Sequence, residues 1–404
     1  MSRAASAALL VAAAAGAWAL LHVGWLGRDQ ITDYAVYEKY GNLIRHGFVP
    51  YRHFQVEYPP AALIPMTLPS WFGGHFRSVF QGEMFACLLA LVFAVWRLAG
   101  RRAALATAIA PLLLGSIVLS RFDLWPTALL ALGLAALVSD RFTLGGILVG
   151  TAFAAKLWPA VVVPFVLVWL VRTRGRDAAV RFGLVAGVVA LLWFAPFFAA
   201  ARRAVFYPFH AQFARPLQVE SLGATVLMAL HNGFGLAVHV TNTYGSQNLA
   251  GTGVRAATVL TSAFEVVALV AVFILFLRSR AEDSQLLLSC AAAVAALIAF
   301  GKVFSPQFLI WLFPFAWIAS GRRGALAAAT AAAAFLLTLA YFPHRYWDFV
   351  NGFARPGVAI VLTRDVLCVA LVVLYAWPRR LEDEALGEHR ARIEALERVR
   401  AQVE

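Results

Sequence analysis

Lysine is nearly absent: Lys39, Lys156 and Lys302 stand against 31 arginines in a chain of 404 residues. Charge of any kind is scarce, at 14% of residues, while 62% are hydrophobic and the mean hydropathy is +0.76. So little charge excludes an ordinary soluble fold, because repeated apolar runs of about 17–25 residues are what cross hydrocarbon as helices. Cysteine is sparse too. Cys87, Cys290 and Cys368 lie far apart inside apolar runs, where a thiol behaves as a small hydrophobe, so neither a disulfide nor a metal site is expected. No glycine loop for a nucleotide is present, the acids show no metal-ligand spacing, and no cofactor is expected. A net charge of +13 would suggest nucleic acid in a soluble chain. Here the basic residues sit in loops between apolar runs, the pattern that orients a membrane protein, and no nucleic-acid partner is expected.

What is present predicts an all-α polytopic membrane protein. Twelve spans fall near 7–26, 80–98, 103–119, 124–138, 143–156, 158–171, 182–200, 254–278, 284–300, 306–320, 325–342 and 357–377. The first run is long for a signal peptide and has no clear small-residue cleavage site after it, so it reads as a retained span. Short connections crowded with arginine, such as 97–102, 172–181, 278–280 and 322–323, read as cytoplasmic, which places both termini inside. The outer side then receives two long segments, 27–79 and 201–253, and the joints Arg121–Asp123, Lys156–Pro159 and Gly301–Gln307. Within the first, "PPAALIPMTLPSWF" from Pro59 predicts a proline-opened helix on or dipping into the membrane. A surface helix is expected over 223–240. The membrane domain covers 1–377, and 378–404 reads as a cytoplasmic amphipathic helix.

The polar residues gather in a few stretches. In "TDYAVYEKYGNL", a helix puts Asp33 and Tyr37 on one face. A carboxylate beside phenols suits sugar recognition, since phenols offer flat apolar faces and the carboxylate accepts hydrogen bonds from hydroxyl groups. The alternative is an acid capping a helix start. Tyr51 is a second sugar-facing candidate, and Glu57 and Tyr58 of "VEYPP" precede the proline-opened segment, where Glu57 reads first as a capping or substrate-positioning acid and not as a second catalytic carboxylate. Arg121 and Asp123 in "SRFDLWP" form either a salt bridge across the turn or a ligand contact. Two of the three lysines, Lys156 in "AAKLWPAVVVP" and Lys302 in "GKVFSPQFLIWLFP", stand at proline-broken helix ends, where an ammonium either snorkels to headgroups or meets a phosphate. Glu265, Arg364 and Asp365 are ionisable at membrane depth, which is costly enough to suggest function. Neighbours on a helix diverge, so Arg364 and Asp365 need not pair with each other.

Asp33 followed by "VY", the "G-x-x-P-Y" of Gly47–Tyr51 and "EYPP" at 57–60 resemble the first outer loop of glycosyltransferase family 87, a family of the C-type membrane superfamily. "KLWPAVVVP" at 156–164, "LQVESLGATVL" at 217–227 and "FSPQFLIWLFP" at 304–314 are similar to its later signatures, with Phe308 where a tyrosine is expected. The resemblance implies transfer of a sugar, typically mannose, from a polyprenyl monophosphate to an acceptor outside the cytoplasmic membrane. It implies that Asp33 is the catalytic acid of the first loop. Glu57, Lys156, Gln218, Glu220, Lys302, Ser305 and Gln307 carry over as motif members without assigned roles. Arg121, Asp123 and Arg364 rest on physical reasoning alone.

The expected partners are therefore a lipid-linked sugar donor, a glycolipid or glycan acceptor and the bilayer. Asp33 would act as general base in an inverting displacement. A carboxylate is too weak a base to form a free alkoxide, so the proton must leave as the new bond forms. The rival reading is a multi-span transporter or lipid flippase with Glu265 and Arg364 lining a central path.

Overall fold

The structure, a computed structural model, describes residues 2–27 and 31–377. Asp29, Arg379, Arg380 and the expected tail helix at 378–404 lie outside the described residues. The order of helices is α1 (Arg3–Leu20), α2 (Tyr34–Arg45), α3 (Ile64–Thr67), α4 (Phe76–Ile109), α5 (Pro111–Leu114), α6 (Ile117–Ser120), α7 (Leu124–Val138), α8 (Phe142–Ala155) and α9 (Val163–Thr173). Then follow α10 (Arg176–Ala201), α11 (Tyr207–Ala214), α12 (Leu222–Phe234), the hairpin β1 (Val238–Thr243) and β2 (Ser246–Gly251), α13 (Val254–Arg278), α14 (Asp283–Phe300), α15 (Gly321–Tyr341), α16 (Tyr346–Gly352) and α17 (Arg355–Ala376).

The chain is a mostly helical membrane protein. Among the described residues, seven helices are long and apolar enough to cross a bilayer: α1, α4 with α5, α10 with α11, α13, α14, α15 and α17. The apolar helices α7, α8, α12 and the stretch Trp158–Thr173 are shorter. Two expected spans take other forms. The stretch 103–119 is broken at both ends, by Gly100 at φ 83° and by Pro111 and Gly115, into the end of α4, α5 and α6. The stretch 306–320 is a 3-10 helix, Pro306–Leu312, followed by turns, because Pro306 and Pro314 each remove a backbone donor. Its residues from Phe308 to Phe313 are buried in protein, where irregular backbone at membrane depth is tolerated.

Proline also divides the segment after Glu57. The expected single helix is three short turns, Pro60–Leu63, α3 and Leu68–Trp71, each with a proline in its first two positions. Over 223–240 the helix ends at Gly235, in the left-handed region, and gives way to the hairpin. The hairpin turns through Tyr244 and Gly245, both at positive φ, as a two-residue turn compatible with strand twist requires.

Close helix contact relies on small residues. A Cβ added at Gly150 of α8 would lie 2.5 Å from the Ala186 carbonyl oxygen of α10, and one at Gly146 would lie 2.9 Å from that of Phe182. Bare α-carbons four apart let the two backbones approach. At the arginine-rich ends, Arg172 donates to the carbonyls of Phe276, Leu277 and Ser279 at the C-terminal end of α13, and Arg323 donates to Leu374 near the end of α17. Guanidinium groups there satisfy orphan carbonyls and suit the negative end of the helix dipole.

Candidate active site

The opposite helix ends carry the site. Asp33 occupies the N-cap position of α2 but makes no capping bond. Its Oδ1 lies 3.2 Å from Nη1 of Arg121, and its Oδ2 accepts a 3.1 Å hydrogen bond from the Tyr37 hydroxyl one turn on. Arg121 is itself held between carbonyls, its Nη2 donating to Ile31 at 3.3 Å, while its buried Nε has no partner. Burial works against this guanidinium, but the Asp33 carboxylate, with Asp123 further off, outweighs it and raises its pKa.

Two residues on, Asp123 is 1% exposed, and its Oδ1 accepts from both Lys156 Nζ and Trp311 Nε1 at 2.6 Å. Its Oδ2 is buried without a partner. The Lys156 ammonium faces the rings of Phe122, Trp311 and Phe308 at 4.9, 5.4 and 5.5 Å. Desolvation lowers its pKa, and the Asp123 charge opposes this. Phe308, the departure from the expected tyrosine, stacks on Trp311 with centroids 4.0 Å apart. Tyr58 packs edge-on against Tyr37 and Phe122. Burial raises the pKa of both Tyr37 and Tyr58, which keeps these phenols neutral hydrogen-bond donors.

A second cluster forms around 217–221. β2 pins this stretch: Leu249 N donates to Leu217 O at 2.8 Å and Val219 N to Gln247 O at 3.1 Å. From it, Gln218 Nε2 donates to Ser305 Oγ at 3.1 Å and to Glu220 Oε2 at 3.3 Å. Glu220 Oε1 accepts from Tyr341, whose hydroxyl also accepts from Arg364 Nη1 at 3.2 Å. Arg364 Nη2 donates 2.6 Å to the Glu220 carbonyl, and its Nε donates to Asp365 Oδ1 at 2.9 Å. Arg364 and Asp365 thus do pair. Their Cβ atoms diverge, but the long arginine side chain bends back so that its guanidinium lies over the Phe304 ring, 3.8 Å from the centroid. Asp365 Oδ2 accepts from Thr225, closing the network.

Burial pushes the Glu220 carboxyl up to about 7, with Arg364 and the Tyr341 hydrogen bond opposing. A raised native pKa means the folded chain holds a proton that the unfolded chain releases. The associated stability is full below about 4.5 and is lost as pH rises through 7. The wild type should therefore lose more melting temperature between pH 5 and pH 8 than Glu220→Gln. Parallel melting curves for the two proteins would contradict this assignment.

The structure brings Asp33, Tyr37, Tyr58, Arg121, Asp123 and Lys156 together, with Glu220 close enough for Arg121 to act on its charge. It joins Gln218, Glu220, Ser305 and Arg364 in the adjoining network. Tyr51 instead donates its hydroxyl to the Tyr58 carbonyl at 2.7 Å, bracing the loop. Glu57 lies beyond Asp33, facing the hairpin turn at Gly245, and desolvation raises its pKa against the pull of Arg215. Lys302 donates to the Phe213 carbonyl at 2.6 Å beside Glu265, and Gln307 is half-buried in the Pro306–Leu312 turn. Trp311, Tyr341 and Thr225 are additional members. Trp311 belongs to a quoted motif, whereas nothing local in the sequence singles out Tyr341.

Residues 56–306, more than half of the chain, match the family described as Glycosyltransferase family 87. The chain belongs to glycosyltransferase family 87. No curated protein matches. Among solved structures, the crystal structure of ArnT from Cupriavidus metallidurans in the apo state is similar at a TM-score of 0.46 and 14% identity, covering 91% of this chain and 75% of that one. This membrane glycosyltransferase of family 87 carries Glu57, Tyr58, Arg121, Asp123, Lys156, Gln218, Glu220, Lys302 and Ser305 inside the matched segment. Asp33, Tyr37, Tyr51, Gln307 and Arg364 flank it.

Proposed function

We propose that the protein transfers a sugar, mannose in the first instance, from a polyprenyl-phosphate donor to a hydroxyl of a glycolipid or glycan, on the outer face of the cytoplasmic membrane. Asp33 is the general base. The observation that carries the reading is the state of this carboxylate: it is held from within by Arg121 and Tyr37, yet its side chain is 29% exposed, against 6% for Arg121 and 1% for Asp123. Each carboxylate oxygen has a second acceptor site. An acceptor hydroxyl can therefore bond to Asp33 without displacing either internal partner.

In the reaction, the acceptor oxygen attacks the anomeric carbon while its proton passes to Asp33. The bond from that carbon to the phosphate oxygen breaks, and polyprenyl phosphate leaves with the electron pair. Positioning and preorganised charge supply the rate enhancement. For the departing phosphate, Lys302 and Arg215 are the candidates. Arg215 offers a buried Nε without a partner, while the Lys302 ammonium already meets the Phe213 carbonyl and the charge of Glu265. Asp123, with its buried unpartnered oxygen, is the candidate acceptor for a donor-sugar hydroxyl.

The transporter reading draws less support. Arg364 and Asp365 are 0% exposed and paired with each other, not lining a path. Purified protein incubated with radiolabelled polyprenyl-phosphate mannose and a glycolipid acceptor should yield labelled product. Uptake of the labelled lipid across vesicles without any product would favour transport instead.

A further inference from the structure

Away from the site, α9 and α10 line a shallow, open hollow of about 470 Å³. Its walls are Leu167, Val168 and Val171 of α9 and Val180, Gly183 and Leu184 of α10, and Arg172 is also in its lining. Val171, Val180 and Leu184 are exposed, as lipid-facing residues of a span are. Gly183 leaves the floor open: a Cβ there would first meet Leu167 at 3.5 Å. Arg176 stands four residues before Val180, on the same helix face, and Arg181 three before Leu184.

The arginines at this end are not equivalent. Arg172 is tied to the carbonyls at the end of α13, and Arg174 pairs with Asp140 at 2.6 Å. Arg176 and Arg181 are exposed, and among the described residues neither has an ion-pair or hydrogen-bond partner. Asp177 is the single acid between them. An apolar hollow open to lipid, with two exposed guanidinium groups on the helix that forms one of its walls, is complementary to a molecule with a hydrocarbon chain and a negative head.

We infer that this hollow is a binding site for an anionic phospholipid of the surrounding bilayer, with an acyl chain between α9 and α10 and the phosphate against Arg176 and Arg181. The site is separate from the glycosyl-transfer chemistry. α9 alone runs about 15 Å from the Lys156 end of the bundle to Arg172. Occupancy would brace α10, whose span has the smallest share of buried residues, 11%.

Native mass spectrometry of the full chain in mild detergent, titrated with phosphatidylglycerol or phosphatidylcholine, tests this directly. The wild type should retain at least several-fold more phosphatidylglycerol. Arg176→Gln with Arg181→Gln should abolish that preference, and the matching Lys pair should restore it. Gly183→Leu, which fills the floor, should lower retention of both lipids. Equal retention of the two lipids by the wild type, or an unchanged preference in the Gln pair, would overturn the site. Thermal melting of each variant confirms that loss of binding is not loss of fold.

Discussion

Asp33→Asn should lower the rate of sugar transfer by about 10³-fold while leaving the melting temperature within a few degrees of wild type. The substitution is nearly isosteric and keeps a carbonyl oxygen that can accept from Tyr37. It removes the group proposed to take the acceptor proton. The Arg121 ion pair is lost as well, and because Arg121 is only 6% exposed the cost exceeds that of a surface pair, at about 1–3 kcal/mol, which in a chain of this length is still a shift of only a few degrees. A general base contributes to the transition state and little to ground-state binding, so KM for the donor should change far less than kcat. A Tyr37→Phe variant separates proton transfer from positioning. It frees Asp33 Oδ2 without removing the carboxylate, and should cost much less than Asp33→Asn. Equal transfer by wild type and Asp33→Asn would remove Asp33 from the mechanism.

The largest structural effect should come from Arg364→Met. The guanidinium is fully buried and serves Asp365, Tyr341 and the Glu220 carbonyl at once. Removing it leaves the Asp365 carboxylate buried without its cation, which costs about 3–5 kcal/mol when a buried pair is broken from one side. The damage should also reach the site, because Arg364 anchors the stretch from which Gln218 meets Ser305. Arg364→Met combined with Asp365→Leu removes both charges and should recover part of the melting temperature, since an apolar replacement of a whole pair is often tolerated. Thermal melting of the two variants in one detergent decides this. A double variant no more stable than Arg364→Met would mean that the lost Tyr341 and Glu220 bonds, not the orphaned charge, dominate.

How much of this was legible in the sequence varies by residue. Asp33, Arg121, Asp123 and Lys156 stood out because a chain so poor in charge placed them at helix ends. The structure brings all four together. The capping role open to Asp33 is not the one taken: the carboxylate turns to Arg121, 88 positions away, a partner that local spacing cannot reveal. Proline signalled the breaks after Glu57 and near Ser305, yet a hydropathy pattern still read 306–320 as a span. Burial on all sides and burial in lipid leave the same apolar signature. The hairpin was missed because its strands are short and half polar, with Asn242, Asn248 and Gln247 among the paired residues. Its role in pinning Gln218 is likewise a long-range matter. Tyr341 and Thr225 join the Glu220 network over 121 and 140 positions respectively, the first to Glu220 and the second to Asp365.

Physical geometry also reorders the cations. Lysine scarcity drew attention to Lys156 and Lys302, but Lys156 is enclosed by Asp123 and three aromatic rings, which makes it a strut under the site. Such a pair fixes the turn that presents Arg121 to Asp33. Arg215, one arginine among 31, gains weight because its Nε is buried without a partner and its charge is felt at Glu57.

The central claim is a single displacement at the anomeric carbon of a lipid-linked sugar, with Asp33 as base. The anomeric configuration of the product, read by NMR after transfer from a polyprenyl-phosphate sugar of defined anomer, tests it most directly. The account predicts inversion relative to the donor; a product that retains the donor's configuration would contradict it.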